Sequence, residues 1–406
     1  MELEELMKNK KDLIVSFLIY GFGLLSLLIA DVYISENFDK QKIAQWAFYK
    51  STIFIIGSIC LLGYDQVFIR DKSLIKRVFN KFLVQTLFIS VISCTFIFFV
   101  KDLKNYELSY LILSIFLFAL LSFYSAAARA CYNLWKSQFS LNFWKILFIL
   151  TILIFKFDDV IVYLIISLML SVFISYFLKG YENDEVIDDN LIISDIDARK
   201  ISLAFLFSNI TLILSVYGEQ FLININGNTI TSAYLFKYFS IFTPIALSVN
   251  SFLGFYLAPK VRKENNMSIK KFKNLTFKIL LFSIFITIIS IVCGLIFMNY
   301  FSKSNEGPID YILISLLAIL SIIRGVYIST SVCLGVFANA KSLKYVALSF
   351  WGCTILYIIS IFFILENSSG LNAARLISLA SLLNWFLRLV VSNSSTIKTL
   401  KGLNYE

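Results

Sequence analysis

The sequence predicts an all-α polytopic membrane protein with about 12 transmembrane helices, divided into two bundles of six. Three observations carry that prediction. Of the 406 residues, 59% are apolar and only 15% charged, and the mean hydropathy is +0.81, whereas soluble domains are about half apolar and about a quarter charged. Apolar runs recur roughly every 30 residues, each close to the ~20 residues that carry a helix across a ~30 Å hydrocarbon core. They are too long and too continuous for the alternating strands of an outer-membrane barrel. The loops between them alternate between rich and poor in lysine and arginine, as an even number of crossings requires.

Along the chain, spans are expected at 13–34, 43–69, 78–100, 108–128, 139–155 and 160–178, and again at 201–225, 231–257, 275–298, 309–334, 343–365 and 371–391. The first follows "MELEELMKNKKD" with no small-residue cleavage site, so it reads as an uncleaved helix and not a signal peptide. With both termini cytoplasmic, the inward loops hold Lys8, Lys10 and Lys11, then Arg70, Lys72, Lys76, Arg77 and Lys81, then Lys260, Arg262, Lys263, Lys270, Lys271, Lys273 and Lys278. The outward loops hold only Lys40, Lys42, Lys101, Lys104, Lys156 and Lys303, which satisfies the positive-inside rule. One loop is long, the acidic "GYENDEVIDDNLIISDIDARK" from Gly180 to Lys200. It separates an N-terminal six-helix bundle (1–179) from a C-terminal one (201–406) and reads as a solvated cytoplasmic linker.

No histidine occurs, which removes the commonest general base and zinc ligand and argues against an enzyme. The six cysteines stand singly, with no paired metal-ligand spacing, and read as small packing residues; no metal and no cofactor is expected. The net charge of +10 is scattered over short loops and forms no nucleic-acid footprint.

The halves resemble each other at a shift of 188 positions. "WAFYKSTIF" (Trp46–Phe54) falls on "YLFKYFSIF" (Tyr234–Phe242), and the same shift carries Asp31 onto Glu219 and Lys72 onto Lys260. Halves with an even number of helices share orientation, as in parallel-repeat transporters. Ionisable residues inside the apolar segments mark function or buried pairing. Glu219 and Lys237 face each other across one expected helical hairpin, and Asp31 and Lys50 across the equivalent one, so each couple reads as an ion pair or coupling site. Ser208, Thr211, Ser215, Glu219 and Asn226 recur at helical spacing, as do Lys237, Ser240, Pro244, Ser248 and Ser251, giving polar stripes suited to a wet cavity or a helix interface. Arg324 lies mid-helix with no acid in the last four helices, and an unpaired guanidinium suits bidentate capture of phosphate. Arg375 and Arg388 lie nearer the ends of the last helix, where they can snorkel to the interface. Lys50, Lys237 and Arg324 would together form a cationic chamber for an anionic passenger.

At the end of the second span the chain reads "GYDQVFIR", Gly63 to Arg70. This resembles the G-x-D-Q segment at the same place in the polysaccharide and O-antigen flippases of the multidrug/oligosaccharidyl-lipid/polysaccharide exporter superfamily. "YLAPK" at Tyr256 and "GLNAARLISLASLLNWFLR" at Gly370 resemble that family's exit from helix 8 and its last helix, while Glu219 stands where an aspartate is commoner. The resemblance covers the whole chain. It implies two six-helix bundles around a central cavity that move undecaprenyl-pyrophosphate-linked oligosaccharide to the outer leaflet of a bacterial inner membrane by alternating access. Its partners would be that lipid-linked substrate, membrane lipids and polysaccharide polymerase machinery. Gly63, Asp65, Gln66 and Arg70 would then form a cytoplasmic gate element. Two other readings compete: a small-molecule or drug exporter of the same superfamily, which should show an excess of acids in its chamber, and a polysaccharide polymerase, which should carry a large outward loop.

Overall fold

The computed structural model describes residues 2–101, 103–131, 133–155, 159–178, 195–263, 267–301, 309–338 and 340–403. Among these residues there is no strand. The chain runs through α1 (Glu2–Asn37), α2 (Lys40–Cys60), α3 (Tyr64–Arg70), α4 (Leu74–Val100), α5 (Asn105–Ala130), α6 (Leu134–Ile154) and α7 (Val160–Phe177). It continues through α8 (Asp195–Ile225), α9 (Thr229–Phe242), α10 (Pro244–Lys263), α11 (Ile269–Tyr300), α12 (Tyr311–Phe337), α13 (Ala340–Asn367) and α14 (Gly370–Leu403). Among the described residues, 11 helices are long and apolar enough to cross a membrane, or 12 spans if the bent pair α9–α10 counts as one. The protein is therefore an all-α, multi-pass membrane protein.

Two expected spans are broken. The span expected at 43–69 stops at Cys60, because Leu62 (φ 48°) and Gly63 (φ 77°) take left-handed backbone that an α-helix of L-residues does not propagate. The span expected at 231–257 breaks at Thr243 and bends by 62°, because Pro244 has no N–H and its ring collides with the preceding turn. Backbone groups freed at membrane depth need partners within the protein. Here Ser290 Oγ of α11 donates to the Phe242 carbonyl at 2.7 Å, and Thr243 Oγ1 donates to the Phe239 carbonyl at 2.8 Å. Gly294 admits this approach: a Cβ there would lie 2.5 Å from the Phe242 ring.

By its contacts the chain forms two compact units, Met1–Tyr33 with Gln45–Ile213, and Ile34–Ala44 with Leu214–Glu406. The second boundary falls inside α8. Most of the expected linker at 180–200 lies outside the described residues, and α8 begins at Asp195. In the first unit α5 is central, packed against α3, α4, α6 and α7. Its Phe123 is fully buried and meets Phe82 at 4.6 Å and the edge of Phe68 at 5.3 Å. In the second unit α12 takes the same place, packed against α9, α10, α11 and α14. Each is the fifth helix of a set of seven. The sequence shift of 188 matches where α1 and α8 end (Asn37 and Ile225), but α5 and α12 start at Asn105 and Tyr311, 206 positions apart. Insertions after the second span thus hide the later part of the repeat.

α4, α11 and α13 turn apolar faces outward, with Phe88, Phe96, Phe285 and Phe363 exposed, as suits contact with acyl chains. Their inner faces are smaller and more polar. α4 buries Thr86, Ser90 and Cys94, and α11 buries Ser283, Thr287, Ser290 and Gly294, the small residues that let membrane helices approach closely.

Just beyond α4, Lys101 lies with its ammonium 3.6 Å from the centre of the Phe48 ring. Burial there pulls its pKa down to about 8, with Glu107 opposing. The folded state therefore disfavours the charged lysine. That penalty is fully present below pH 8 and fades as pH rises from there towards the ordinary lysine range. We expect thermal stability in detergent to rise between pH 8 and pH 10, and Lys101→Met to flatten the rise. An undiminished rise in Lys101→Met would assign it to other groups.

Candidate functional site

Each unit buries a carboxylate near basic side chains, Asp31 in the first and Glu219 in the second. In the second unit α8 presents Ser215 and Glu219 one turn apart, so both side chains share a face. Four donors converge on Ser215. Arg324 Nη2 (α12) and Trp385 Nε1 (α14) reach its carbonyl at 3.3 and 3.1 Å. Asn384 Nδ2 reaches its hydroxyl at 3.1 Å, and Arg388 Nη1 bonds the same oxygen. Glu219 Oε2 accepts a hydrogen bond from the Tyr357 hydroxyl of α13 at 2.8 Å and lies within electrostatic range of Arg324.

The guanidinium groups are held by rings as well. Arg324 stands 4.8 Å from the centre of Trp385 and 5.7 Å from that of Phe239, and Arg388 stands 4.4 Å from Phe350 and 5.7 Å from Trp385. Trp385 is thus shared between two cations, each drawn to the negative face of a π-system. Arg324 is 7% exposed and Arg388 0%. Arg324 Nε and Asn384 Oδ1 in this cluster have no hydrogen-bond partner among the described residues.

In the first unit Lys50 of α2 pairs with Asp31 of α1, as the sequence predicts. Trp46, one turn before Lys50, donates its indole N–H to the other oxygen of Asp31 at 2.9 Å. Lys145 of α6 lies within electrostatic range of both Asp31 and Lys50 and donates to Asn142 Oδ1 at 2.6 Å.

Several expectations are corrected. Lys237 does not take Glu219 as its acid: Lys237 Nζ lies 3.3 Å from Glu36 Oε1. The cause is register. The shift of 188 carries Lys50 onto Tyr238, and a one-residue displacement turns a helical side chain by about 100°. Arg324 is not isolated, because its counter-charge comes from α8 and not from the helices that follow it. Arg388 does not snorkel. α14 runs on to Leu403, so Arg388 sits mid-helix and is buried. Of the expected trio, Lys50 belongs to the first unit and Lys237 and Arg324 to the second. Lys145 and Arg388 are the functional candidates that sequence reasoning passed over. Lys145 was legible as a charge inside the apolar run 139–155.

The G-x-D-Q segment forms a packed corner. Gly63 is the left-handed residue of the break, and Asp65 lies in the first turn of α3, where a negative charge suits the helix N-terminus. Arg129, in the last turn of α5, reaches Asp65 Oδ2 at 3.5 Å and the Asp65 carbonyl at 3.4 Å. The side chains of Gln66 and Arg70 lie outside the described ones. Among the described residues no group of three or more cysteine, aspartate or glutamate side chains is placed to hold a metal ion.

Set against protein-family models, curated proteins and solved structures, the chain matches none. What the clusters can do follows from their charge. Each sets basic side chains near one carboxylate in a low-dielectric setting, an arrangement of donors that suits an anion.

Proposed function

We propose that the protein is a lipid-linked oligosaccharide flippase, moving undecaprenyl-pyrophosphate-linked units from the cytoplasmic to the outer leaflet of a bacterial inner membrane by alternating access. The observation that carries this reading is the gathering of basic side chains at the buried clusters: Lys50 and Lys145 around Asp31, Arg324 beside Glu219, and Arg388 with Arg324 on Ser215. A pyrophosphate cannot cross hydrocarbon without replacing its water. Guanidinium and ammonium groups fixed by rings and serine oxygens supply that replacement, and guanidinium in particular matches phosphate oxygens two at a time. A pump for cationic drugs calls for the opposite, a gathering of acids. The residue pattern "GYDQVFIR" supports the same family reading.

The test is reconstitution. Purified protein in liposomes should accelerate the transbilayer movement of a fluorescent undecaprenyl-pyrophosphate oligosaccharide, read by quenching from outside. Lys145→Gln should slow that movement at least tenfold without lowering the amount of folded protein. Equal acceleration of an uncharged polyprenyl glycoside, or undiminished rates in Lys145→Gln, would overturn the role given to the cations.

A further inference from the structure

The Glu36–Lys237 pair, which the transport reading leaves unused, lies at a pocket in the second unit. The pocket is built where the end of α1 and the start of α2 meet α9, from Ser35, Glu36, Asp39, Lys40, Tyr234 and Lys237 together with apolar neighbours. Its charges balance, two acids against two lysines, unlike the cation-rich clusters around Asp31 and Glu219. A ligand of one charge sign would upset that balance, whereas a neutral polar ligand would not.

The lining also has a direction. Glu36 and Lys237 side chains are 5% and 10% exposed, and they set an acceptor and a donor side by side, 3.3 Å apart. Two adjacent hydroxyls on one ring match such a couple, one donating to the carboxylate and its neighbour accepting from the ammonium, and charged partners make these the stronger class of hydrogen bond. Tyr234 borders the same space and is only partly buried, with Lys40 Nζ 5.2 Å from its ring centre. An aromatic ring offers the apolar C–H face of a sugar a flat surface while its hydroxyl stays at the polar edge. Asp39 is anchored, accepting the Lys42 N–H at 2.8 Å, so the α1–α2 turn is held in shape.

We propose that this pocket binds a pyranose through a vicinal diol, and so is a saccharide site separate from the cationic clusters. The proposal rests on the oligosaccharide-carrier reading for its biological sense, but its test does not use transport. Saturation-transfer NMR on the full chain, in a detergent that contains no sugar, would be run with the methyl glycosides of glucose, mannose, galactose and N-acetylglucosamine. At least one should bind with millimolar affinity. Tyr234→Ala should weaken that binding at least tenfold, and so should the paired replacement Glu36→Gln with Lys237→Met, which keeps the site's charges balanced and leaves no ion stranded. No binding by any of the four, or full binding in both variants, overturns the proposal. Flipping of the lipid-linked substrate without glycoside binding would remove the pocket and leave the transport reading standing. Glycoside binding without flipping would do the reverse.

Discussion

Glu219→Gln destabilises the second unit by roughly 1–3 kcal/mol, the cost of leaving a buried group without its partner, because it removes the carboxylate within electrostatic range of the buried Arg324 guanidinium. Arg324 and Arg388 are both buried, and Glu219 is the carboxylate that faces Arg324. Without it two guanidinium groups share Ser215 and Trp385 with no negative charge among those contacts. Adding Arg324→Met to Glu219→Gln removes the stranded cation, so the double variant should recover much of the loss instead of summing two losses. Denaturant unfolding of the four proteins in one detergent gives the coupling energy directly. Additive losses would mean that Glu219 does not compensate Arg324, and the account of the cluster would fail with them.

The sequence shows the spans because their apolar runs leave little choice, and the fold class follows from them. The two breaks differ in legibility. Pro244 announces its own, since its missing donor and rigid ring are local properties. Gly63 does not, because whether a glycine is left-handed depends on what packs against it. The charges divide in the same way. Asp31 and Lys50 meet where the repeat places them, while Lys237, one position out of phase with Lys50, turns to a different acid. Arg388 is hidden by hydropathy. The polar stretch after Val391 reads as a chain leaving the membrane, yet α14 continues because its polar side chains find helix partners: Ser392 meets Thr330 at 2.8 Å, and Thr396 bonds back to the Ser392 carbonyl at 2.8 Å. The acids repeat between the units, but beyond Lys50 their cations do not: Lys145 comes from α6 in one unit and Arg324 from α12 in the other. The hairpin spacing that pairs Lys50 with Asp31 could not have paired these two.

Gly63→Ala is the largest backbone effect expected in the chain. Left-handed backbone alone costs an L-residue roughly 1–2 kcal/mol, and Gly63 holds φ 77°. A Cβ there would also lie 2.2 Å from the Ser202 carbonyl oxygen and 2.9 Å from the Leu206 nitrogen. Both are main-chain atoms of α8 and cannot swing aside as a side chain would, so α3 or α8 must move. Gly227 separates the two costs, since it has φ 74° with nothing within 4 Å of a Cβ. Gly227→Ala should therefore lose only the conformational share, and Gly63→Ala several kcal/mol more, read as the difference between their unfolding free energies. Gly21→Ala, also without neighbours within 4 Å but inside α1, should gain about 0.5–1 kcal/mol, the ordinary benefit of alanine over glycine in a helix. Equal losses at Gly63 and Gly227 would show that α8 does not press on the corner. A larger loss at Gly63 would explain the first glycine of G-x-D-Q physically: with Asp65 clasped by Arg129, it sets how closely the corner beside α3 and the first part of α8 can approach.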